Sequence, residues 1–215
     1  MKQRNIYLTA AFFSLLLYMI GVMSGLFIEK SMASYTEAQV YLLQRQLENL
    51  QLEYAYLSII GKDLTCEQLS SLVGASTQEV WELGRELNDD DPRFEELRRD
   101  YALLSTKAWI LNSYVKDRCE TDVVVLLYFY SIPCEDCIQQ GYILDELRSE
   151  YKDKVLVFVL NSNLDEPIVN TLKIAYDIQE TPAIVIGENT YLSLRDKTEL
   201  RDLINQELEN KTTEE

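Results

Sequence analysis

The chain has 215 residues, of which 47% are hydrophobic and 26% are charged, which suits one packed domain and an additional segment. Its formal net charge of −16 argues against nucleic acid and anionic lipid headgroups as partners of the acidic part. Histidine is absent, which excludes histidine-based acid–base catalysis and histidine metal ligands, so chemistry must use cysteine, carboxylate, lysine or tyrosine side chains.

The amino-terminal segment has the composition of a membrane-spanning helix. No charged residue occurs from Ile6 to Ile28, a run long enough to cross a hydrocarbon core of about 30 Å as an α-helix. Because Lys2 and Arg4 precede it, we expect residues 1–5 in the cytoplasm and the rest of the chain outside. A cleaved signal peptide is the alternative, but its apolar run of about 7–15 residues would be shorter. We therefore predict a single-pass anchor over residues 6–28.

Residues 29–118 are predicted to form a helical region. From Thr36 to Ile60 apolar side chains recur every three or four residues without glycine or proline, which is typical of an amphipathic helix. Thr65-Cys-Glu-Gln68 has capping-box spacing and predicts a short helix, and Ser76-Thr-Gln-Glu79 repeats that spacing before another. A long helix is expected from about Arg93 to Val115. No catalytic pattern occurs in this region, so we interpret it as a spacer or docking module.

The pattern changes at residue 119. Two runs of β-branched and aromatic residues, Asp122–Tyr130 and Lys154–Leu160, indicate strands buried on both faces, with a helix over residues 134–151 between them. We expect that helix to turn four side chains inward, those of Ile138, Tyr142, Leu144 and Leu147. The remaining predicted elements are a helix, two strands joined by a tight turn and a last helix, over Asn163–Ile178, Pro182–Ile186, Thr190–Ser193 and Lys197–Leu208.

The order of these elements defines the fold class. A helical crossover makes the first two strands parallel, and the tight turn makes the last two antiparallel. The order β-α-β-α-β-β-α therefore predicts an α/β domain over residues 119–209, with a mixed four-stranded sheet and helices on both faces. Residues 210–215 form a polar tail.

Cys134-Glu-Asp-Cys137 lies where the first predicted strand gives way to a helix. Backbone N–H groups and the helix dipole lower the pKa of a thiol at a helix amino terminus, and the spacing brings both sulfurs onto one turn. A zinc site would need four ligands, and a structural disulfide would gain little by closing so short a loop. We favour a redox-active pair over both alternatives.

The strand, the Cys-x-x-Cys at the start of a helix, and a β-α-β-β-α order with Pro182 opening a strand resemble the thioredoxin superfamily over about residues 120–209. Thr181-Pro-Ala-Ile-Val185 is similar to the segment before the third core strand of that fold. The resemblance implies a cis proline at 182 that faces the disulfide, and a substrate groove formed by Thr181, Pro182 and Pro133. A threonine before that proline is common in membrane-anchored and other extracytoplasmic disulfide-exchange branches.

The chain departs from the family pattern around the cysteines. Ile132 and Pro133 replace the tryptophan that usually precedes the first cysteine, and Tyr128 stands where cytosolic thioredoxins have a buried aspartate. Glu135 and Asp136 occupy the positions between the cysteines, where other members have Gly-Pro or Pro-His. The resemblance in fold survives these changes, but they bear on the direction of the reaction.

The exchange mechanism that the resemblance implies assigns a role to each cysteine. Cys134 attacks or is attacked, and Cys137 resolves the mixed disulfide. Glu135 and Asp136 modulate the thiol pKa, since each carboxylate at about 7 Å opposes the thiolate by on the order of 0.6–2.4 kcal/mol. A destabilised thiolate makes the disulfide harder to reduce, so we expect a reductase, isomerase or electron carrier rather than a strong oxidase.

Cys66 and Cys119 are the remaining cysteines. Their even number and a location outside the cytoplasm, where disulfides persist, favour a structural disulfide between them. Closing that loop would stabilise the fold by roughly 4 kcal/mol. The alternative is a second redox pair that passes electrons to Cys134.

The sequence thus predicts a membrane-anchored thiol–disulfide oxidoreductase that acts on extracytoplasmic protein thiols or disulfides. It needs no cofactor or metal and takes electrons from, or gives them to, a partner such as a membrane redox protein. The alternative is a non-catalytic scaffold, in which the helical region docks a partner and the thioredoxin-like domain keeps a stable disulfide.

Overall fold

The structure is a computed structural model that describes residues 2–87 and 94–210; between residues 2 and 39, side chains are described only for residues 12–24. The chain divides into two compact units, residues 1–44 and residues 45–215. Helix α1, Lys2–Ile60, supplies all the described structure of the first unit and continues into the second. The predicted tail, residues 210–215, lies outside the residues whose side chains are described.

The first unit bears on the predicted anchor. From Phe12 to Met23 the large apolar side chains of α1 are exposed. Within the portion of the chain that the structure describes, however, no helix has both the length and the apolar character that crossing a membrane requires. The predicted anchor over residues 6–28 is therefore not supported, and its two ends lie among side chains outside the description.

The helical part of the second unit contains the end of α1, α2 (Cys66–Glu86) and α3 (Glu95–Cys119). The predicted apolar face of α1 is buried at Leu47, Leu50, Tyr54 and Leu57. Thr65 caps α2 as predicted, because its side chain accepts from the Gln68 N–H and the Gln68 side chain accepts from the Thr65 N–H.

The prediction of a second helix start at Ser76 is wrong, because α2 runs through this residue without a break. The Ser76 hydroxyl donates to Glu53 Oε1 of α1 at 2.5 Å and to the carbonyl of Leu72. The neighbouring Thr77 hydroxyl donates to the carbonyl of Val73 at 2.7 Å. Both hydroxyls bond one turn back inside the helix, which is the alternative to capping for serine and threonine.

The sheet has the order β2-β1-β3-β4. Its elements in chain order are β1 (Val124–Tyr130), α4 (Glu135–Tyr151), β2 (Val155–Asn161), α5 (Pro167–Ala175), β3 (Ala183–Ile186), β4 (Asn189–Leu192) and α6 (Lys197–Asn210). Strand β1 pairs parallel with β2 and antiparallel with β3, which pairs antiparallel with β4. The predicted mixed four-stranded sheet and its element order are confirmed.

Strand β1 is the centre of the core. Val124, Leu126 and Tyr128 pack on one face with Leu144 and Leu147 of α4 and with buried side chains of α6. Val125, Leu127 and Phe129 point to the opposite face and are buried as well. The prediction that β1 is covered on both faces is confirmed.

The helical region packs against the sheet within this unit. Helix α3 lies along β2, the edge strand, where the Ser105 hydroxyl donates to the carbonyl of Val159 at 3.3 Å. At the other end of the sheet Lys116 of α3 forms an ion pair with Glu207 of α6 at 2.6 Å. Covering an edge strand with a helix protects its unpaired backbone groups from pairing with another chain.

Candidate active site

Cys134 and Cys137 lie where β1 gives way to α4, and they form a disulfide with a Cα–Cα distance of 5.2 Å. Cys134 is the N-cap residue of α4 and is half-buried, whereas Cys137 lies in the first turn and is buried. The backbone N–H of Cys137 donates to Sγ of Cys134 at 3.0 Å. A hydrogen bond of this kind favours the thiolate form when the disulfide is reduced.

The Thr181–Pro182 loop lies against this pair. This loop precedes β3. The antiparallel pairing of Phe129 with Ala183 places the loop beside the carboxyl end of β1. The carbonyl oxygen of Thr181 is 4.0 Å from Sγ of Cys134, and the hydroxyls of Thr181 and Ser131 share a hydrogen bond of 2.6 Å. The Thr181–Pro182 bond is cis, and Pro182 is buried.

The structure also places Pro133 at this edge. Pro133 is exposed, follows Ile132 through a cis bond and directly precedes Cys134. The backbone N–H of Ile132 donates to Oδ1 of Asn163 at 3.0 Å, which ties the loop to the residues after β2. Ser131 and Asn163 thus position the loop, and neither residue was predicted from the sequence. Both residues follow predicted parallel strands in the sequence. Because the carboxyl ends of parallel strands lie at the same end of a sheet, this position could have predicted that the two residues lie near the cysteines.

Glu135 and Asp136 occupy the first turn of α4 and are exposed. Water screens exposed charges, so their repulsion of a Cys134 thiolate falls toward the lower end of the predicted range. Among the described side chains no group of three or more Asp, Glu or Cys residues is arranged to hold a metal ion.

Tyr128 lies beneath the Cys134–Cys137 disulfide, on the face of β1 that α4 and α6 cover. Its hydroxyl donates to the backbone carbonyl of Cys137 at 2.7 Å. Burial raises the pKa of Tyr128 above its ordinary value, so the hydroxyl stays neutral at physiological pH and remains a donor. Tyr128 therefore holds the first turn of α4 by a hydrogen bond, whereas a carboxylate at this position would be a proton acceptor.

Cys66 and Cys119 are joined by a disulfide, with a Cα–Cα distance of 5.5 Å. Cys66 opens α2 and Cys119 ends α3, just before β1, while Cys134 follows β1. A strand rises about 3.3 Å per residue, so the two disulfides lie at opposite ends of a strand about 20 Å long. This arrangement does not fit direct electron transfer from Cys66–Cys119 to Cys134.

Comparisons with known proteins match part of the chain. No family model matches the chain. It is 32% identical to thioredoxin of Rickettsia felis and 33% identical to thioredoxin of Rickettsia conorii, in alignments that cover 45% of this chain and 93% of each relative. It also resembles the crystal structure of chloroplastic thioredoxin z, with a TM-score of 0.36 and 16% identity over 45% of this chain and 88% of that chain.

The alignments with these two thioredoxins run over nearly the whole of each relative. This chain has a mixed four-stranded sheet with a disulfide at the start of the helix after β1. The chain therefore belongs to the thioredoxin family and is a thioredoxin-like thiol–disulfide oxidoreductase.

Proposed function

We propose that the chain exchanges disulfides with protein substrates through Cys134 and Cys137. The observation that carries this proposal is the position of Cys134, whose half-buried sulfur accepts the N–H of Cys137 at 3.0 Å. The carbonyl of Thr181 lies 4.0 Å from the same sulfur. A reactive thiolate needs access and a stabilising donor, here the half-buried sulfur and the Cys137 N–H, whereas a structural disulfide needs neither.

The exchange would proceed in two steps in the reducing direction. The Cys134 thiolate attacks one sulfur of a substrate disulfide, and the other substrate sulfur leaves as a thiolate and takes a proton from solvent. The Cys137 thiolate then attacks Sγ of Cys134, which releases the reduced substrate and restores the Cys134–Cys137 disulfide. A second thiol protein must reduce this disulfide before the next cycle.

We propose the reducing or isomerising direction, or electron transfer between proteins, over strong oxidation. The two carboxylates beside Cys134 destabilise its thiolate. Because the thiolate belongs to the reduced form, the disulfide becomes harder to reduce. Because both carboxylates are exposed, water weakens their repulsion of the thiolate. The proposed direction therefore depends on their negative sign and not on the size of the repulsion.

We also propose a single-pass anchor at residues 6–28, with the second unit on the extracytoplasmic side and a membrane redox protein as electron partner. Support comes from the uncharged run, from Lys2 and Arg4 before it, and from the Cys66–Cys119 disulfide, since structural disulfides persist outside the cytoplasm. Carbonate extraction of membranes tests the anchor, and protease accessibility in intact cells tests the side. Release of the full-length chain by carbonate would contradict the anchor.

Reduction of insulin by dithiothreitol tests the activity. The wild-type chain is expected to accelerate precipitation of the insulin B chain, and Cys134→Ser is expected to lose that acceleration. A double variant, Cys66→Ser with Cys119→Ser, is the matched control, because it removes the same number of disulfides at the other end of β1. No acceleration by the wild-type chain would leave the scaffold alternative.

A further inference from the structure

A groove of about 570 Å³ begins at the Cys134–Cys137 disulfide and continues over the edge of the sheet. Its floor is formed by Tyr128 and Tyr130 of β1 and by Val157 and Val159 of β2. These four side chains share one face of the sheet, because Tyr128 pairs with Val159 and side chains alternate along a strand. The floor is therefore apolar and aromatic, and it leads directly away from the reactive sulfur.

The two walls of the groove come from different parts of the chain. One wall is α4, which contributes Ile138, Gly141 and Leu144. The other wall is the helical region, with Trp81 of α2 and Tyr101 of α3. This second wall lies outside residues 120–209, so the thioredoxin-like domain alone would leave the groove open along the edge strand.

Packing holds the helical wall in place. The ring of Tyr101 lies against Gly84 so closely that a Cβ at position 84 would overlap it. The guanidinium of Arg148 on α4 stacks on the ring of Trp81, and its Nη2 donates to Oε1 of Gln78 at 3.3 Å. These contacts join α2 to both α3 and α4 and so fix the helical wall of the groove.

We propose that this groove holds the substrate segment next to the reactive cysteine and selects a large apolar side chain there. The proposal rests on the proposed disulfide exchange, because a substrate cysteine bonded to Cys134 must place its neighbouring residues at the mouth of the groove. The volume lies within the range of about 300–1,000 Å³ typical of ligand sites. Its floor and walls offer rings and branched aliphatic groups to an apolar side chain.

The charge of the groove agrees with an apolar occupant. The chain as a whole carries −16, which would repel acidic segments and attract basic ones. Among the described residues that line the groove, the charged ones are two arginines, Arg85 and Arg98, and two acids, Glu135 and Asp145. Their formal charges cancel, so the groove lacks the electrostatic bias of the rest of the chain.

Gly141 provides the test. No described atom lies within 4 Å of a Cβ built at this position, and Gly141 lines the groove, so we expect a larger side chain there to extend into the groove. Leucine also has a higher helix propensity than glycine. Gly74 of α2 has equally open surroundings and does not line the groove, so Gly74→Leu is the matched control.

The experiment uses the full chain with Cys137→Ser, which traps mixed disulfides at Cys134. Two peptides compete at equal concentration, each as a disulfide with 2-mercaptoethanol, and they differ only in phenylalanine or serine beside the cysteine. Mass spectrometry gives the ratio of the two adducts. We expect the phenylalanine peptide to be favoured by about tenfold, the gain from burying one large apolar side chain.

When Gly141→Leu is combined with Cys137→Ser, the ratio of phenylalanine adduct to serine adduct should fall close to one. Gly141→Ala should reduce this ratio partly, and Gly74→Leu should leave it unchanged. A cooperative thermal melt at or above the temperature of the parent protein shows that each variant is folded. A ratio near one in the parent protein, or a ratio that Gly141→Leu does not alter, would overturn the groove proposal and leave disulfide exchange standing. No adduct with either peptide would overturn the proposed function, and the groove proposal with it.

Discussion

The backbone N–H of Cys137 donates to Sγ of Cys134 at 3.0 Å, so the buried member of the pair supplies a donor to the half-buried one. Cys134 is the N-cap residue of α4 and Cys137 lies in the first turn, where N–H groups have no helical acceptor. The donor is part of the backbone, so a substitution of the Cys137 side chain does not remove it.

We expect the Cys134 thiol of the reduced protein to titrate below the ordinary thiol pKa of about 8.5, because this donor and the helix dipole stabilise the thiolate. The pH dependence of alkylation by iodoacetamide measures it, with Cys137→Ser present so that one thiol of the pair reacts. The variant keeps the backbone donor. A midpoint at or above about 8.5 would contradict the assignment of Cys134 as the nucleophile.

Neutralising the first-turn acids should make the disulfide easier to reduce. Glu135→Gln with Asp136→Asn removes two exposed charges that oppose the thiolate. We expect the reduction potential to rise by roughly 10–30 mV, measured by equilibration with glutathione. Glu67→Gln, beside the other disulfide, is the control and should leave the potential unchanged.

The potential of the wild-type chain is itself a prediction. On a scale where thioredoxin lies near −270 mV and a strong periplasmic oxidase near −120 mV, we expect a value below about −150 mV. The same glutathione titration measures it. A higher value would assign the chain to oxidation and would contradict the proposed direction.

Removing the Tyr128 hydroxyl should weaken the turn that carries the cysteines. Tyr128→Phe leaves the buried carbonyl of Cys137 without its 2.7 Å donor, and we expect a loss of about 1–2 kcal/mol in the free energy of unfolding. Urea denaturation with both disulfides intact measures it. Tyr142→Phe is the control, because Tyr142 is 68% exposed, and it should change little.

The same tyrosine predicts a dependence of stability on alkaline pH. Burial raises the pKa of Tyr128 in the folded chain above the value of about 10 expected in the unfolded chain. The contribution of Tyr128 to the free energy of unfolding is therefore fully present below about pH 10. It is lost as the pH rises further, because Tyr128 ionises in the unfolded chain before it ionises in the folded chain. Tyr128→Phe should lose less stability than the wild type between neutral pH and pH 11. An equal loss would contradict the assignment.

The Cys66–Cys119 disulfide should contribute stability and not activity. Replacing both cysteines by serine removes a cross-link between residues 53 apart in sequence, which costs about 4 kcal/mol in the chain-entropy model. Thermal denaturation measures the loss. Insulin reduction should persist below the lowered melting temperature, because the bond lies at the opposite end of β1. Loss of activity in the folded double variant would restore the relay alternative.

Several features follow from local sequence alone. The two runs of β-branched residues predicted strands β1 and β2, and the helix between them predicted their parallel pairing. Strand β1 is buried on both faces as predicted, whereas β2 is an edge strand with several half-buried side chains, so its predicted burial on both faces is wrong. The spacing of Cys134 and Cys137 predicted a pair at the start of a helix. The period of apolar residues on α1 predicted the face that is buried at Leu47, Leu50 and Tyr54. Each of these depends on contacts within one element or between neighbours in the chain.

Other predictions failed where the outcome depends on which surfaces meet. Ile138 and Tyr142 were expected to pack inward, but they are 62% and 68% exposed, because α4 covers the sheet with Leu144 and Leu147 instead. The capping pattern at Ser76 was overridden because Glu53 of α1 accepts from its hydroxyl inside a continuous helix. Predicted α5 began at residue 163, whereas the helix starts at Pro167, where a missing N–H is tolerated.

The sequence by itself determined the strands, the cysteine pair and the apolar faces, because each is written in the spacing of residues a few positions apart. Only the tertiary structure decided that Tyr128 donates to the carbonyl of Cys137 and that α3 lies along β2. It also decided that Tyr101 and Trp81 form a wall beside the disulfide. The physical reason is that hydrogen bonds and grooves of this kind depend on distances between elements far apart in the chain, on which local periodicity carries no information.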